Sequence, residues 1–171
     1  MWWSERERRA VLALLMAPAL APLAALGGCG FQLRQPPKLS FASIALTGFA
    51  PRSLLAAELK RQLAMQVRVL ETPAQADVVL HALGDVREKS VVASTAAAEV
   101  RELQLRLKFD FRAHTPAGRE LIRRNELLLT RDLSYRETAA LAKEQEEAEL
   151  FRDLLADLVA QVLRQLAALR V

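Results

Sequence analysis

One stretch restricts the possible folds more than any other. Between residues 100 and 112, Leu103, Leu105, Leu107, Phe109 and Phe111 alternate with Glu102, Gln104, Arg106, Lys108, Asp110 and Arg112. Successive side chains of a strand point to opposite faces, so this pattern makes a strand with one apolar and one charged face. A helix would scatter the same residues around its girth. The chain must therefore build a sheet and cover one face of it.

The cover is written on either side. Leu55, Leu59 and Leu63 recur every four residues behind Pro51-Arg52-Ser53, which predicts a helix over 53–65 with Ser53 as its N-cap. A longer helix is expected at the end. Ser134 and Glu137 have capping-box spacing, with Thr138 as a later start. Leu141, Ala148, Phe151, Leu155, Leu158, Val162, Leu166 and Leu169 form its stripe. Glu144, Glu146, Glu147 and Glu149 fall early and Arg164 and Arg170 late, as the helix dipole favours.

Further strands are expected over 39–49, 67–70, 77–92 and 119–133. Gly84 suggests a bulge or a close backbone approach, and Thr115-Pro116-Ala117-Gly118 a hairpin turn. The expected class is α+β: two helices on one face of a mixed sheet of four strands or similar, in the order strand-helix-strand-strand-strand-helix.

The first residues read as a leader. Arg6, Arg8 and Arg9 precede an uncharged, Ala-rich run over 10–26 that contains Pro18 and Pro22. A basic start, an apolar middle and small residues before a cut are the marks of a secretory signal peptide. Prolines and shortness argue against a membrane-spanning helix. Leu26-Gly27-Gly28-Cys29 resembles the bacterial lipobox, in which the cysteine sulfur receives a diacylglycerol, the chain is cut before it, and the new amino terminus is acylated. Cys29 is the single cysteine, so an internal disulfide and a cysteine-cluster metal site are excluded. Gly30 follows it rather than the Asp of an inner-membrane retention signal. The expected organisation is a signal peptide over 1–28, a lipidated, Pro-containing tether over 29–38, and one domain over 39–171. No cofactor is expected beyond the covalent diacylglycerol and N-acyl chain on Cys29.

Asp132-Leu133-Ser134-Tyr135, followed by Ala139-Ala140-Leu141-Ala142-Lys143-Glu144-Gln145-Glu146-Glu147, resembles the C-terminal segment of the LPS-assembly lipoproteins of the LptE family. Gly28-Cys29-Gly30-Phe31-Gln32-Leu33-Arg34 and the order of elements agree with it. The resemblance implies a non-enzymatic outer-membrane lipoprotein. Its domain would lie on the periplasmic side and inside the large β-barrel LptD, which it plugs and helps to fold. It would bind lipopolysaccharide (LPS) as that lipid enters the outer leaflet.

The resemblance also points to residues. The lysine of its Ala-Leu-Ala-Lys motif is implicated in LPS contact and maps onto Lys143; the plainer alternative is a surface pair with Glu147 one turn on. A second family cation aligns with Ala93, where Lys89 or Arg101 could substitute. The run Arg119, Arg123, Arg124 and Arg131 offers further cations for lipid phosphate, Arg123 and Arg124 among them. A barrel lumen is polar, so Arg106, Lys108 and Arg112 are the barrel-contact candidates; an ordinary solvated sheet face would look the same.

Other chemistry finds little support. His81 and His114 have no metal-ligand spacing, and neither a nucleophile elbow nor a glycine-rich phosphate loop is present. An enzyme is not expected. A net charge of +4 and an export signal argue against nucleic acid. The rival reading is an outer-membrane lipoprotein that serves as a scaffold or accessory for phospholipid transport.

Overall fold

The computed structural model describes residues 37–94, 100–135 and 140–170. The expected signal peptide, Cys29 and all but the end of the tether lie outside them, as do Glu137 and Thr138.

The chain opens with β1, Ser43–Thr47. Gly48 follows at φ 77°, where a Cβ would lie 2.3 Å from the Ala82 carbonyl oxygen. Both the left-handed backbone and the close approach demand glycine. Helix α1, Leu54–Leu63, starts where expected, with the Ser53 hydroxyl accepting the Ala56 N–H at 3.0 Å. Leu55, Leu59 and Leu63 are its buried face. The short strand β2, Arg68–Leu70, and a 3-10 turn at Pro73–Gln75 lead into β3, Val78–Ser94. Strand β4, Val100–His114, and strand β5, Glu120–Ser134, follow. Helix α2 spans Ala140–Ala167.

The sheet has five strands in the order β2-β1-β3-β4-β5. β1 runs parallel to β2 and β3, while β3, β4 and β5 form an antiparallel meander. The class is the expected α+β with two helices on a mixed sheet. All five stretches expected as strands join the sheet, one more than the four of the expected order, with Arg68–Leu70 pairing along β1 as an edge. Thr115 and Gly118 close the β4–β5 turn through a 2.9 Å backbone bond, and Gly118 takes φ 86°. A register shift between Ala82 and Gly84 confirms the bulge. The alternative of a close approach at Gly84 fails, since a Cβ there would meet nothing nearer than 3.7 Å.

The alternating stretch does what its period requires. Leu103, Leu105, Leu107, Phe109 and Phe111 are all buried, and the last four pack in one core with α1 and α2. Phe109 stacks between Phe49 and Phe111, with ring centroids 5.7 and 4.9 Å away.

Helix α2 departs from its expected stripe. Phe151, Leu158, Val162 and Leu166 are buried, but so are Leu154, Val159 and Leu163, which the stripe omitted. Leu141 is 73% exposed and Ala148 is also exposed. The part of α2 from Leu150 onward covers the core. Ser134 belongs to β5, paired with Glu102, so it does not cap α2.

Candidate functional site

Beyond Phe151 towards its start, α2 is held to the sheet by charge. Lys89 of β3 donates to Glu147 at 2.9 Å. One helical turn earlier, Lys143 donates to Glu146 at 2.7 Å and to the Ser134 hydroxyl of β5 at 3.3 Å. The expected alternative partner of Lys143, Glu147, is thus occupied by Lys89, and Glu146 takes its place. Only 18% of the Lys143 side chain is exposed, against 49% for Lys89. Arg101 lies at the same end, where its carbonyl accepts the Tyr135 N–H at 2.8 Å. Lys143, Lys89 and Arg101 therefore share one end of the sheet, although they come from three elements.

Arg123 and Arg124 do not join them. Both lie on β5 near the hairpin turn, beside the Phe111–Asn125 pair. Lys89 pairs with Leu105, and Arg112 lies roughly 23 Å further along β4 at about 3.3 Å per residue. One phosphate group cannot engage both sets. Arg123 is 92% exposed, 3.9 Å from Glu120. Arg124 forks onto Asp110, with Nε 2.9 and 3.1 Å from the two carboxylate oxygens. That fork raises the Arg124 pKa and leaves the guanidinium already satisfied.

The second face of β3-β4-β5 is polar and open to solvent over most of its area. Rows cross it in register: Glu88, Arg106 and Thr130; Val86, Lys108 and Leu128; Gly84, Asp110 and Glu126. Arg106 donates to Gln104 at 2.7 Å, and Gln104 donates to Asp132 at 2.9 Å. Lys108 reaches Glu126 at 2.9 Å, which raises its pKa. Arg106, Lys108 and Arg112 share this face as expected, and Arg124 belongs with them. Asp110, counted among the open charges, is 6% exposed beneath Arg124. Alternation alone could not show that cover, because it depends on pairing with β5.

The two histidines take structural partners: His81 Nδ1 lies 2.9 Å from the Thr47 hydroxyl, and His114 Nδ1 lies 2.9 Å from the Thr115 carbonyl. Among the described residues, no three His, Cys, Asp or Glu side chains gather as a metal site. No described helix is long and apolar enough to cross a membrane.

A mixed sheet with one face under two helices and the other largely polar defines an α+β domain with two unlike surfaces. The family model for lipopolysaccharide-assembly, LptE, matches residues 41–166, from before β1 nearly to the end of α2. The chain belongs to the LptE lipopolysaccharide-assembly family, and its role lies in LPS assembly. Among solved structures it is similar to an uncharacterized lipoprotein B from Nitrosomonas europaea, at 29% identity and a TM-score of 0.71, covering 81% of this chain and 91% of that one. A minor lipoprotein from Acinetobacter baumannii shares the fold at 24% identity and a TM-score of 0.62, covering 76% and 93%. The rare lipoprotein B from Shewanella oneidensis does so at 20% identity and 0.62, covering 74% and 94%. No curated protein matches the chain.

Proposed function

We propose that this chain is an outer-membrane lipoprotein that helps fold and plugs an LptD-type β-barrel and binds LPS during its insertion into the outer leaflet. The family match over both helices and the whole sheet carries the reading. In this account residues 1–28 are removed, Cys29 carries the diacylglycerol and N-acyl chains, 29–38 tether the anchor, and 39–171 form the working domain. Two or three acyl chains anchor stably where one does so only marginally.

The two surfaces divide the work. The rows around Arg106, Lys108 and Arg112 suit a hydrated lumen, since they offer charge and hydrogen bonds, with Val86 and Leu128 the exposed apolar side chains beside Lys108. The end that holds Lys143, Lys89 and Arg101 offers amines and a guanidinium to lipid phosphates, with Lys143 and Lys89 exchanging Glu146 and Glu147 for phosphate oxygens. Arg123 and Arg124 stand apart from that end, so in this account they belong to the lumen side.

Co-purification tests the lumen face. Replacing Arg106 and Lys108 by Glu should lower the yield of the barrel complex; an unchanged yield removes the contact. Depletion separates the rival reading. Loss of properly assembled barrel with surface LPS defects supports LPS assembly, whereas normal LPS with altered phospholipid asymmetry supports a phospholipid accessory.

A further inference from the structure

A cavity of about 230 Å³ opens between the start of α1 and the middle of α2. Its floor is apolar: Leu55 of α1, Leu107 of β4, and Phe151, Leu155 and Leu158 of α2. Leu54, 64% exposed, forms an apolar lip. Two arginines line the mouth. Arg87 lies with its guanidinium 3.6 Å from the centre of the Phe151 ring, and Arg52 holds a left-handed backbone at φ 65°. Neither pairs with a carboxylate among the described residues. The one acid at the mouth, Asp85, accepts the Ser53 hydroxyl at 2.5 Å. Lys108 lines the cleft too but is paired with Glu126, so Arg52 and Arg87 against Asp85 leave an excess of positive charge above a greasy floor.

We infer that this cleft is a subsite for one acyl chain of an anionic lipid, with the chain on the leucine and phenylalanine floor and the headgroup at Arg52 and Arg87. Size favours a tail over a whole ligand. Sites that enclose drug-sized molecules run to roughly 300–1,000 Å³, and this one is smaller. Composition favours an amphiphile over either half alone: the floor has no polar group to hold a free phosphate, and an uncharged chain would leave the charges of Arg52 and Arg87 without an anion. The cleft is distinct from the Lys143 end. Phe151 lies about 12 Å along α2 from Lys143 at about 1.5 Å per residue. The inference does not depend on what Lys143 binds.

Dodecyl phosphate, held below its micelle concentration, is the probe, and the methyl resonances of the cleft leucines are the readout. Saturable shifts at Leu55, Leu107, Leu155 and Leu158 are expected, with none from inorganic phosphate. Arg52→Gln should weaken the binding about tenfold, and Leu155→Trp, which fills the space, should abolish it. Arg52 is exposed, so its variant keeps the test sound if Leu155→Trp fails to fold. Two results would overturn the inference. One is shifts spread over exposed sites such as Val86 and Leu128 without saturation in the cleft. The other is equal affinity for uncharged dodecyl maltoside, which would remove the headgroup site. Since the probe is not LPS, failure here leaves the Lys143 reading standing.

Discussion

Ser43 and Asp77 hold each other's backbone. Asp77 Oδ2 accepts the Ser43 N–H at 2.9 Å, and the Ser43 hydroxyl accepts the Asp77 N–H at 3.0 Å. The same carboxylate accepts the Ala42 N–H at 3.0 Å. This clasp fixes the entry of β3 beside β1, where Val78 pairs with Ile44. Hydrogen bonding from Ser43 and then Ala42, with the charge of Arg68 last, holds the Asp77 carboxyl below its usual range. A lowered folded pKa stabilises the fold above the unfolded value and is lost as pH falls through the folded one. Asp77→Ala should cost about 1 kcal/mol at pH 7, at the low end because the group is exposed. The gap between wild type and variant should begin to narrow below about pH 4 and narrow further as pH falls through the lowered folded value. Thermal melts at pH 7 and over a series from pH 5 to pH 2 measure both; a gap that does not narrow across that series contradicts the charge argument.

Leu105 and Leu141 should respond oppositely to truncation. Leu105 is fully buried in the core, so Leu105→Ala should cost about 2–5 kcal/mol. Leu141 is 73% exposed, and Leu141→Ala should stay within about 0.5 kcal/mol. Chemical denaturation distinguishes them. A large cost at Leu141 would place it in a core contact that its exposure denies.

Gly48 and Gly118 share a left-handed backbone but not their surroundings. A Cβ at Gly118 meets nothing within 4 Å, whereas one at Gly48 runs into the Ala82 carbonyl. Gly118→Ala should therefore cost only the backbone strain, about 1–2 kcal/mol. Gly48→Ala should cost clearly more, because β1 and β3 must also separate. Equal losses in urea midpoint would show that the sheet yields freely there.

The Asp110–Arg124 fork is asymmetric in exposure, with 8% of the Asp110 side chain accessible against 74% for Arg124. Removing the arginine strands a buried carboxylate; removing the carboxylate only frees an arginine into water. Arg124→Ala should thus lower the melting temperature by more than Asp110→Asn, by a few degrees for a chain of this size. The reverse order would mean that Asp110 is satisfied by something other than Arg124.

These particular residues show what sequence reasoning reached. The period of two over 103–111 announced β4 and its buried face because burial on one side leaves no other solution. The leucine spacing of α1 and its Ser53 cap were equally plain, being local. The failures are long-range. Periodicity placed Leu141 on the stripe but could not say whether anything lies beneath that turn. Local spacing offered Glu147 to Lys143, yet Lys89, 58 positions away, takes it. The candidate cations were grouped by charge, while strand register separates Arg123 and Arg124 from Lys143. The apolar cleft joins α1, β4 and α2, and no single segment carries its signature.

The account's central claim is that the end of the sheet around Lys143 binds LPS. The direct measurement is LPS pull-down with the full chain and with Lys143→Gln, each checked for an unchanged thermal melt. The account predicts that the variant, still folded, retains about a tenth or less of the bound LPS. Undiminished binding by the folded variant would contradict it.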